Sequence, residues 1–142
     1  MKKCFAVLFL AIIVFIGCSK DDNIRNNNPY LPNYNFSMNI DMTLNKYASL
    51  QFTGNAVYAD QPGAINDVII MNTGTGFTAF EATCPNQPIT TCSFMEIDGI
   101  NAICPCDDAE YNLFTGLAVG KQYPLKPYRV TVVSPTYIRV SN

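Results

Sequence analysis

The pattern of short apolar segments beyond residue 35 constrains the fold of this chain more than any other feature. No stretch in this part of the sequence sustains helical periodicity over three turns. Short segments rich in β-branched and aromatic residues alternate instead with breaks rich in Gly, Pro and Asn, which is typical of strands and turns. The sequence therefore predicts an all-β domain, built as a small antiparallel sandwich or barrel. The segments are residues 47–52, 67–72, 76–82, 94–99, 128–133 and 137–140.

One of the turns can be predicted from its own residues. Asp98 and Gly99 lie between the apolar segments FMEI and INAIC. Asp-Gly is a preferred dipeptide of two-residue type I′ turns, because both central residues of that turn need a positive φ. We therefore expect a hairpin with a type I′ turn at Asp98 and Gly99.

The N-terminus has the layout of a secretory signal peptide. Two lysines precede a twelve-residue uncharged stretch, residues 5–16, as in such signals. This stretch is shorter than the about 20 apolar residues that a transmembrane helix needs. The segment FIGC, residues 15–18, resembles a bacterial lipobox, in which the cysteine is acylated and becomes the first residue after cleavage. The resemblance implies a signal peptide over residues 1–17 and a lipid on Cys18.

The residues that follow Cys18 predict a tether and a cellular location. Residues 18–35 are rich in Asn, Pro and charge, a composition typical of flexible segments. The segment CSKDD at their start resembles the surface-export signal of some Gram-negative lipoproteins. We expect a lipidated flexible tether over residues 18–35 and a β domain over residues 36–142. The protein would be an outer-membrane lipoprotein that faces the periplasm or the cell surface.

The charge balance argues against nucleic acid as a partner. The formal net charge of the chain is −2, and removing Lys2 and Lys3 with the signal peptide lowers it to −4. The sequence has no basic cluster that could form a phosphate-binding patch. The expected partners are the membrane, through the lipid, and an unidentified envelope protein or small ligand.

Four cysteines lie in the predicted β domain. An exported, oxidising environment makes disulfides their expected state. Cys104 and Cys106 are separated by one residue, so a bridge between them would be strained. Each of these two therefore pairs with one of the other two, and the spacing leaves both pairings open. The four are Cys84, Cys92, Cys104 and Cys106.

Two motifs resemble the two boxes of the Rieske iron–sulfur domain. CPN at residues 84–86 resembles the C-x-H of the first box, and CPCDDAEYN at residues 104–112 resembles the C-P-C-H-G-S-x-F/Y-D of the second. Together with its flanking residues, the match covers roughly residues 46–140. The resemblance implies a Rieske-like antiparallel β-sandwich or barrel with two cysteine loops at one end.

The resemblance also implies how the cysteines are used. Cys84 and Cys104 match the two cysteine ligands of the [2Fe–2S] cluster. Cys106 matches the disulfide cysteine of the second box, with Cys92 as its partner. If the cluster is absent, the implied bridges are Cys84–Cys104 and Cys92–Cys106.

The chain departs from the family at both histidine ligands. Asn86 and Asp107 stand at these positions, and the printed sequence contains no histidine. Asp108 and Ala109 replace the Gly-Ser pair that supports the cluster. A Rieske centre needs two imidazoles on one iron, so we expect no cofactor and no bound metal. Together with Glu110, the acidic residues of this loop are then expected to form a solvated tip.

Three functions follow from these departures. The favoured one is a disulfide-stapled binding or structural module of the cell envelope, which is not an enzyme, since nucleophile–base pairs usually include histidine. The alternative is a component of an oxidoreductase system that transfers electrons through a [2Fe–2S] cluster with atypical ligands. A thiol–disulfide function is less favoured, because C-x-x-C spacing and a neighbouring Lys or Arg are missing. The atypical ligands would be Cys84, Asn86, Cys104 and Asp107.

Overall fold

The computed structural model describes residues 27–61 and 65–142. The predicted signal peptide, Cys18 and the first part of the predicted tether lie outside these residues. Within them, nine strands form three antiparallel three-stranded sheets, in the orders β1-β9-β8, β2-β3-β4 and β5-β6-β7. The strands are β1 (Ser37–Asp41), β2 (Ala56–Ala59), β3 (Val68–Asn72), β4 (Phe77–Glu81), β5 (Glu96–Asp98), β6 (Asn101–Cys104), β7 (Ala109–Asn112), β8 (Arg129–Ser134) and β9 (Tyr137–Ser141).

The β2-β3-β4 sheet lies between two hydrophobic cores. On β3, Ile69 and Met71 pack into the core shared with the β5-β6-β7 sheet. Val68 and Ile70 pack into the core shared with the β1-β9-β8 sheet. Alternate residues of a strand point to opposite faces, and both faces are covered here, which explains why β3 is a continuous apolar run. The predicted all-β class is therefore confirmed.

Backbone hydrogen bonds beyond the sheets hold the three layers together. The Tyr128 N–H donates to the Ala79 carbonyl at 2.8 Å, which joins β4 to the segment leading into β8. The Met95 N–H donates to the Ala82 carbonyl at 2.8 Å, and the Cys84 N–H donates to the Ser93 carbonyl at 2.9 Å. These bonds close the chain between β4 and β5 into a loop beside the β5-β6-β7 sheet.

The prediction of a strand over residues 47–52 is wrong. Ala48–Gln51 form a 3-10 helix. Leu50 is fully buried and Tyr47 packs against the same core, and this spacing of three residues suits a 3-10 turn and not the alternation of a strand.

In the described chain no helix is both long enough and apolar enough to cross a membrane.

The predicted hairpin between β5 and β6 is present, but its turn lies one residue further along. Asp98 pairs with Asn101, so the loop residues are Gly99 and Ile100. Gly99 has a φ of 58°, and Asp108 is the only non-glycine residue with a positive φ among those described. A type I′ turn needs a positive φ at both central residues, so the predicted type I′ geometry is wrong.

Residues 28–32 of the predicted flexible tether pack on the domain. Leu31 is 1% exposed, and the Asn28 side chain donates to the Pro85 carbonyl at 2.6 Å. The Lys126 ammonium donates to the Pro32 carbonyl, also at 2.6 Å. Residues 28–32 therefore differ from the expectation of a flexible segment, because a buried leucine and two long-range hydrogen bonds hold them.

Gly116 allows the loop between β7 and β8 to pack closely on β4. Its φ is 74°, and an added Cβ would lie 2.8 Å from Phe80 Cε1. We expect Gly116→Ala to lower the free energy of unfolding by about 2–3 kcal/mol, from the positive φ and the overlap together. Gly120 is the matched control, since its φ is 71° and its added Cβ would meet nothing within 4 Å. In urea unfolding Gly120→Ala should lose only about 1 kcal/mol, and equal losses in the two variants would contradict the overlap.

Candidate functional site: the paired cysteine loops

Two loops and the end of β6 carry the four cysteines, which form two disulfides. The first cysteine loop, residues 82–95, connects β4 to β5. The second cysteine loop, residues 105–108, is the turn between β6 and β7, and Cys104 is the last residue of β6. Cys84 is bonded to Cys104, with their Cα atoms 5.6 Å apart, and Cys92 is bonded to Cys106, with theirs 5.1 Å apart. The structure thus contains both bridges that the resemblance implies.

The two bridges differ in their exposure to solvent. Cys84 and Cys104 are each 1% exposed and belong to the core between the sheets, so we call their disulfide the inner bridge. Cys92 is exposed and Cys106 is half-buried, so we call their disulfide the outer bridge. An external thiol can therefore approach the outer bridge but not the inner one.

The side chain of Asn86 joins the first cysteine loop to the connection between β7 and β8. Its amide nitrogen donates to the Tyr111 hydroxyl at 2.8 Å and to the Tyr123 carbonyl at 2.7 Å. Its oxygen accepts from the Tyr123 N–H at 2.9 Å. Tyr111 is 1% exposed, and burial raises the pKa of its hydroxyl. Asn86, which the motif resemblance aligns with a histidine ligand, thus makes three hydrogen bonds within the protein.

Asp107, which the motif resemblance aligns with the other histidine ligand, also has hydrogen-bond partners within the protein. Its Oδ2 accepts a hydrogen bond from the Lys121 ammonium at 2.6 Å, and its Oδ1 accepts one from the Ala109 N–H at 3.2 Å. The bond to Asp107 raises the pKa of Lys121. The sequence has no Lys or Arg next to the second cysteine loop, since Lys121 is 14 residues from Asp107 and is brought there only by folding.

Of the other two acidic residues expected at the tip of the second cysteine loop, Asp108 lies there, whereas Glu110 lies on β7. Asp108 is exposed and has a φ of 53°, a conformation that Asp adopts more readily than most residues. Asp108 can therefore occupy the position that the motif resemblance aligns with a glycine. Glu110 is exposed and accepts a hydrogen bond from the Asn101 side chain. Asp107 and Glu110 therefore have different partners.

Three polar side chains of the first cysteine loop contact the sulfur atoms. The Thr90 hydroxyl lies 3.1 Å from Cys92 Sγ and 3.6 Å from Cys106 Sγ. The Ser93 hydroxyl lies 3.8 Å from Cys106 Sγ. The Gln87 amide donates to Cys104 Sγ at 3.7 Å. Both bridges therefore have hydrogen-bond donors beside them.

A buried polar cluster around Glu81 was missed by sequence analysis. The Glu81 carboxylate is fully buried and accepts hydrogen bonds from the Tyr128 hydroxyl at 2.7 Å and the Thr83 hydroxyl at 2.8 Å. Burial raises its pKa, because desolvation outweighs these bonds and the nearby charge of Lys126. Burial lowers the pKa of Lys126, which is 1% exposed. The sequence feature that could have indicated this cluster is Glu81 itself, a charged residue inside the apolar segment 76–82.

The raised pKa of Glu81 predicts a pH dependence of stability. Between the ordinary glutamate pKa of 4.5 and the raised value, the folded state binds more protons than the unfolded state at this site. The free energy of unfolding should therefore fall as the pH rises through this window. Glu81→Gln should remove this fall, whereas Glu96→Gln, at an exposed position, should keep it. Urea unfolding from about pH 4.5 to about pH 7.5 measures the difference, and parallel profiles for wild type and Glu81→Gln would contradict it.

Comparison with known proteins shows similarity to solved structures. No protein-family model matches the chain, and no curated protein matches it. A chain in the complex of reduced oxygenase and oxidized ferredoxin in carbazole 1,9a-dioxygenase is 22% identical with a TM-score of 0.52, and the match covers 74% of this chain and 92% of that chain. The cyanobacterial plasma membrane Rieske protein from Synechocystis PCC 6803 is 22% identical with a TM-score of 0.53, over 74% and 99% of the two chains. At this level of identity the similarity is one of fold.

Proposed function

From the premise that the domain has a Rieske-like fold, we propose that the inner bridge stands in place of the [2Fe–2S] cluster and that the protein is a disulfide-stapled binding or structural module of the cell envelope. The observation that carries this proposal is that all four ligand positions are engaged in bonds within the protein. Cys84 and Cys104 are bonded to each other. The Asn86 amide is hydrogen-bonded through both its nitrogen and its oxygen, and Asp107 is paired with Lys121.

The residues at the site do not fit a Rieske-type cluster. Such a centre needs two cysteine thiolates and two imidazoles, whereas the sulfurs of the inner bridge are bonded to each other and both imidazole positions carry other side chains. The neutral amide oxygen of Asn86 is a weak iron ligand, and it already accepts the Tyr123 N–H. Asp107 would have to leave Lys121 to reach a metal. This mismatch supports the function as a binding or structural module. Electron transfer through a cluster with atypical ligands is therefore the second candidate function.

Metal and thiol analysis separates these two functions. Protein purified from its native envelope should contain iron at well below one atom per chain, and no free thiol under denaturing conditions among the four domain cysteines. The Cys84→Ser/Cys104→Ser variant is the matched control and should give the same iron content. About two iron atoms per chain, with Cys84 and Cys104 as free thiols, would overturn the module and support the electron-transfer alternative.

The proposed location is the outer membrane, with the domain facing the periplasm or the cell surface and held by the lipid on Cys18. The partner would be an envelope protein or a small ligand. The support is the signal-peptide pattern and the FIGC segment. Cys18→Ala should release the protein from the membrane fraction or leave the precursor uncleaved. Cys4→Ala, inside the predicted signal peptide, is the control and should change neither, and a Cys18→Ala protein that stays processed and membrane-bound would contradict the lipid anchor.

A further inference from the structure

Three sulfur atoms from two different bridges lie close together. The Sγ atoms of Cys84, Cys104 and Cys106 are all within 4.8 Å of one another, although Cys106 is bonded to neither of the other two. Cys92 is not part of this triplet. Opening of the outer bridge would therefore leave a Cys106 thiolate directly beside the inner bridge.

We propose that the two bridges form a thiol–disulfide relay. The outer bridge accepts two electrons from an external dithiol, and Cys106 passes them to the inner bridge by exchange. This function goes beyond a stapled module, because the bridges then take part in chemistry as well as in stability. The exchange rests on the sulfur triplet, the contrast in exposure and the donors beside the sulfurs.

The contrast in exposure sets the order of the steps. Thiol–disulfide exchange requires a thiolate to reach a disulfide sulfur. Cys92 is exposed, whereas both sulfurs of the inner bridge belong to residues that are 1% exposed. The core around the inner bridge excludes an external dithiol, so its attacking sulfur must come from inside the domain. Cys106 is the third cysteine of the triplet and is placed for this attack.

In the first step the external dithiol reduces the outer bridge. A thiolate of the dithiol attacks Cys92 Sγ, the Cys92–Cys106 bond breaks, and Cys106 leaves as a thiolate. The second thiolate of the dithiol then displaces Cys92, which leaves as a thiolate and takes a proton from water. The dithiol is oxidised to its own disulfide, and the domain has gained two electrons.

In the second step the Cys106 thiolate attacks Cys84 Sγ. The Cys84–Cys106 bond forms, the Cys84–Cys104 bond breaks, and Cys104 leaves as a thiolate. The new bridge contains a half-buried sulfur, because Cys106 is half-buried, so a second dithiol can reach it. Attack on Cys104 Sγ is the disfavoured direction, since it would form a strained bridge between cysteines one residue apart.

The polar side chains beside the bridges favour this direction of attack. Thr90 and Ser93 place hydroxyl groups 3.6 Å and 3.8 Å from Cys106 Sγ, where they can donate to its thiolate. Gln87 donates to Cys104 Sγ at 3.7 Å, the atom that leaves with the negative charge. Hydrogen bonds to an ionised sulfur stabilise it more than bonds to a neutral one. These donors stabilise the thiolates, as a neighbouring cation stabilises a reactive cysteine thiolate.

The relay can be tested on the wild-type protein with dithiothreitol as the dithiol. After one equivalent, free thiols are alkylated and the remaining bridge is mapped by mass spectrometry without reduction. We expect at least about a tenth of the singly reduced protein to carry Cys84–Cys106 with Cys92 and Cys104 alkylated. A singly reduced fraction that carries only Cys84–Cys104 would overturn the relay. That result would leave the proposed module intact, because both bridges would still be structural and iron-free.

Two single variants provide a matched pair that needs no reductant. Cys92→Ala leaves Cys106 as a free thiol inside the triplet, and we expect both Cys84–Cys104 and Cys84–Cys106 in the purified protein. Cys106→Ala leaves Cys92 as the free thiol outside the triplet, and we expect Cys84–Cys104 alone. If both variants retain the wild-type circular dichroism spectrum, identical bridge maps would contradict the proposal. If either variant fails to fold, the experiment on the wild-type protein decides.

A third variant tests the donor to the leaving sulfur. Gln87→Leu removes the amide that contacts Cys104 Sγ. We expect the fraction with the Cys84–Cys106 bridge to fall several-fold, while the first reduction of the outer bridge keeps its rate. Gln87→Glu also removes the amide donor but keeps a side chain of similar length. We expect it to lower the fraction with the Cys84–Cys106 bridge as Gln87→Leu does. An unchanged fraction in both variants would contradict this role of Gln87 as a positioning residue.

Discussion

Removal of the inner bridge by Cys84→Ala/Cys104→Ala is expected to lower the free energy of unfolding by about 4 kcal/mol. The bridge joins residues 20 apart in the sequence, and chain entropy for a loop of this length contributes about 3 kcal/mol. Both cysteines are 1% exposed in the core, so the lost sulfur contacts add about 1 kcal/mol. Urea unfolding without reductant measures the loss.

The outer bridge provides the control for this result. Cys92→Ala/Cys106→Ala opens a bridge between residues 14 apart, for which chain entropy again gives about 3 kcal/mol. Cys92 is exposed, so no further loss of core packing is expected. The two loops overlap in sequence, and removal of all four cysteines should therefore cost less than the two losses added together. A larger loss from the outer bridge than from the inner one would contradict the assignment of the inner bridge to the core.

Asn86→Ala is expected to lower the free energy of unfolding by about 3 kcal/mol. The substitution removes three hydrogen bonds, to Tyr111 and to both backbone groups of Tyr123. Each bond contributes about 1 kcal/mol on average, and more where a buried partner is left unpaired, as the hydroxyl of Tyr111 would be. The connection between β7 and β8 should also be cleaved faster after Lys121 by trypsin, because Asn86 attaches this connection to the first cysteine loop.

Two variants show whether the hydrogen bonds cause this effect. Asn86→Asp keeps the acceptor for the Tyr123 N–H but loses the donor to the Tyr123 carbonyl, so we expect a smaller loss, about 1–2 kcal/mol. Gln87→Ala, at the next residue, removes only the contact to Cys104 Sγ and should cost about 0.5 kcal/mol. Equal losses in Asn86→Ala and Gln87→Ala would mean that the amide of Asn86 does not hold the two loops together.

The site retains the Rieske-like scaffold while its side chains have other partners. Asp108 has a positive φ, and Asn86 and Asp107, which the motif resemblance aligns with the two histidine ligands, make hydrogen bonds within the protein. Each substitution leaves a loop that is closed by the protein's own contacts. These contacts are the observations on which the proposed module rests.

Local sequence determined the all-β class and most of the strands. The segments around β3, β4, β5, β8 and β9 were predicted, because β-branched and aromatic residues between turn-forming residues favour extended backbone wherever they occur. The expected hairpin after β5 also predicted β6. The strand predicted over residues 47–52 was wrong because its composition suits a strand, whereas its contacts follow a spacing of three residues. β1, β2 and β7 were missed, since each has four or five residues and weak local patterning.

The pairing of the cysteines came from family resemblance, and their chemical environments came only from the fold. The sequence excluded a bridge between Cys104 and Cys106 through their spacing, but it contained no information on which bridge is buried. That difference depends on β4 and β6 packing in one core, which places Cys84 and Cys104 inside and leaves Cys92 at the surface.

The partners of the site residues were decided by tertiary structure alone. The Asn86–Tyr123 bonds span 37 residues, the Asn28–Pro85 bond spans 57, and the Lys126–Pro32 bond spans 94. Composition and periodicity report how a short segment prefers to fold and which of its faces is apolar. They do not report which distant polar group will meet a given side chain, because that meeting forms only when the strands between them are packed.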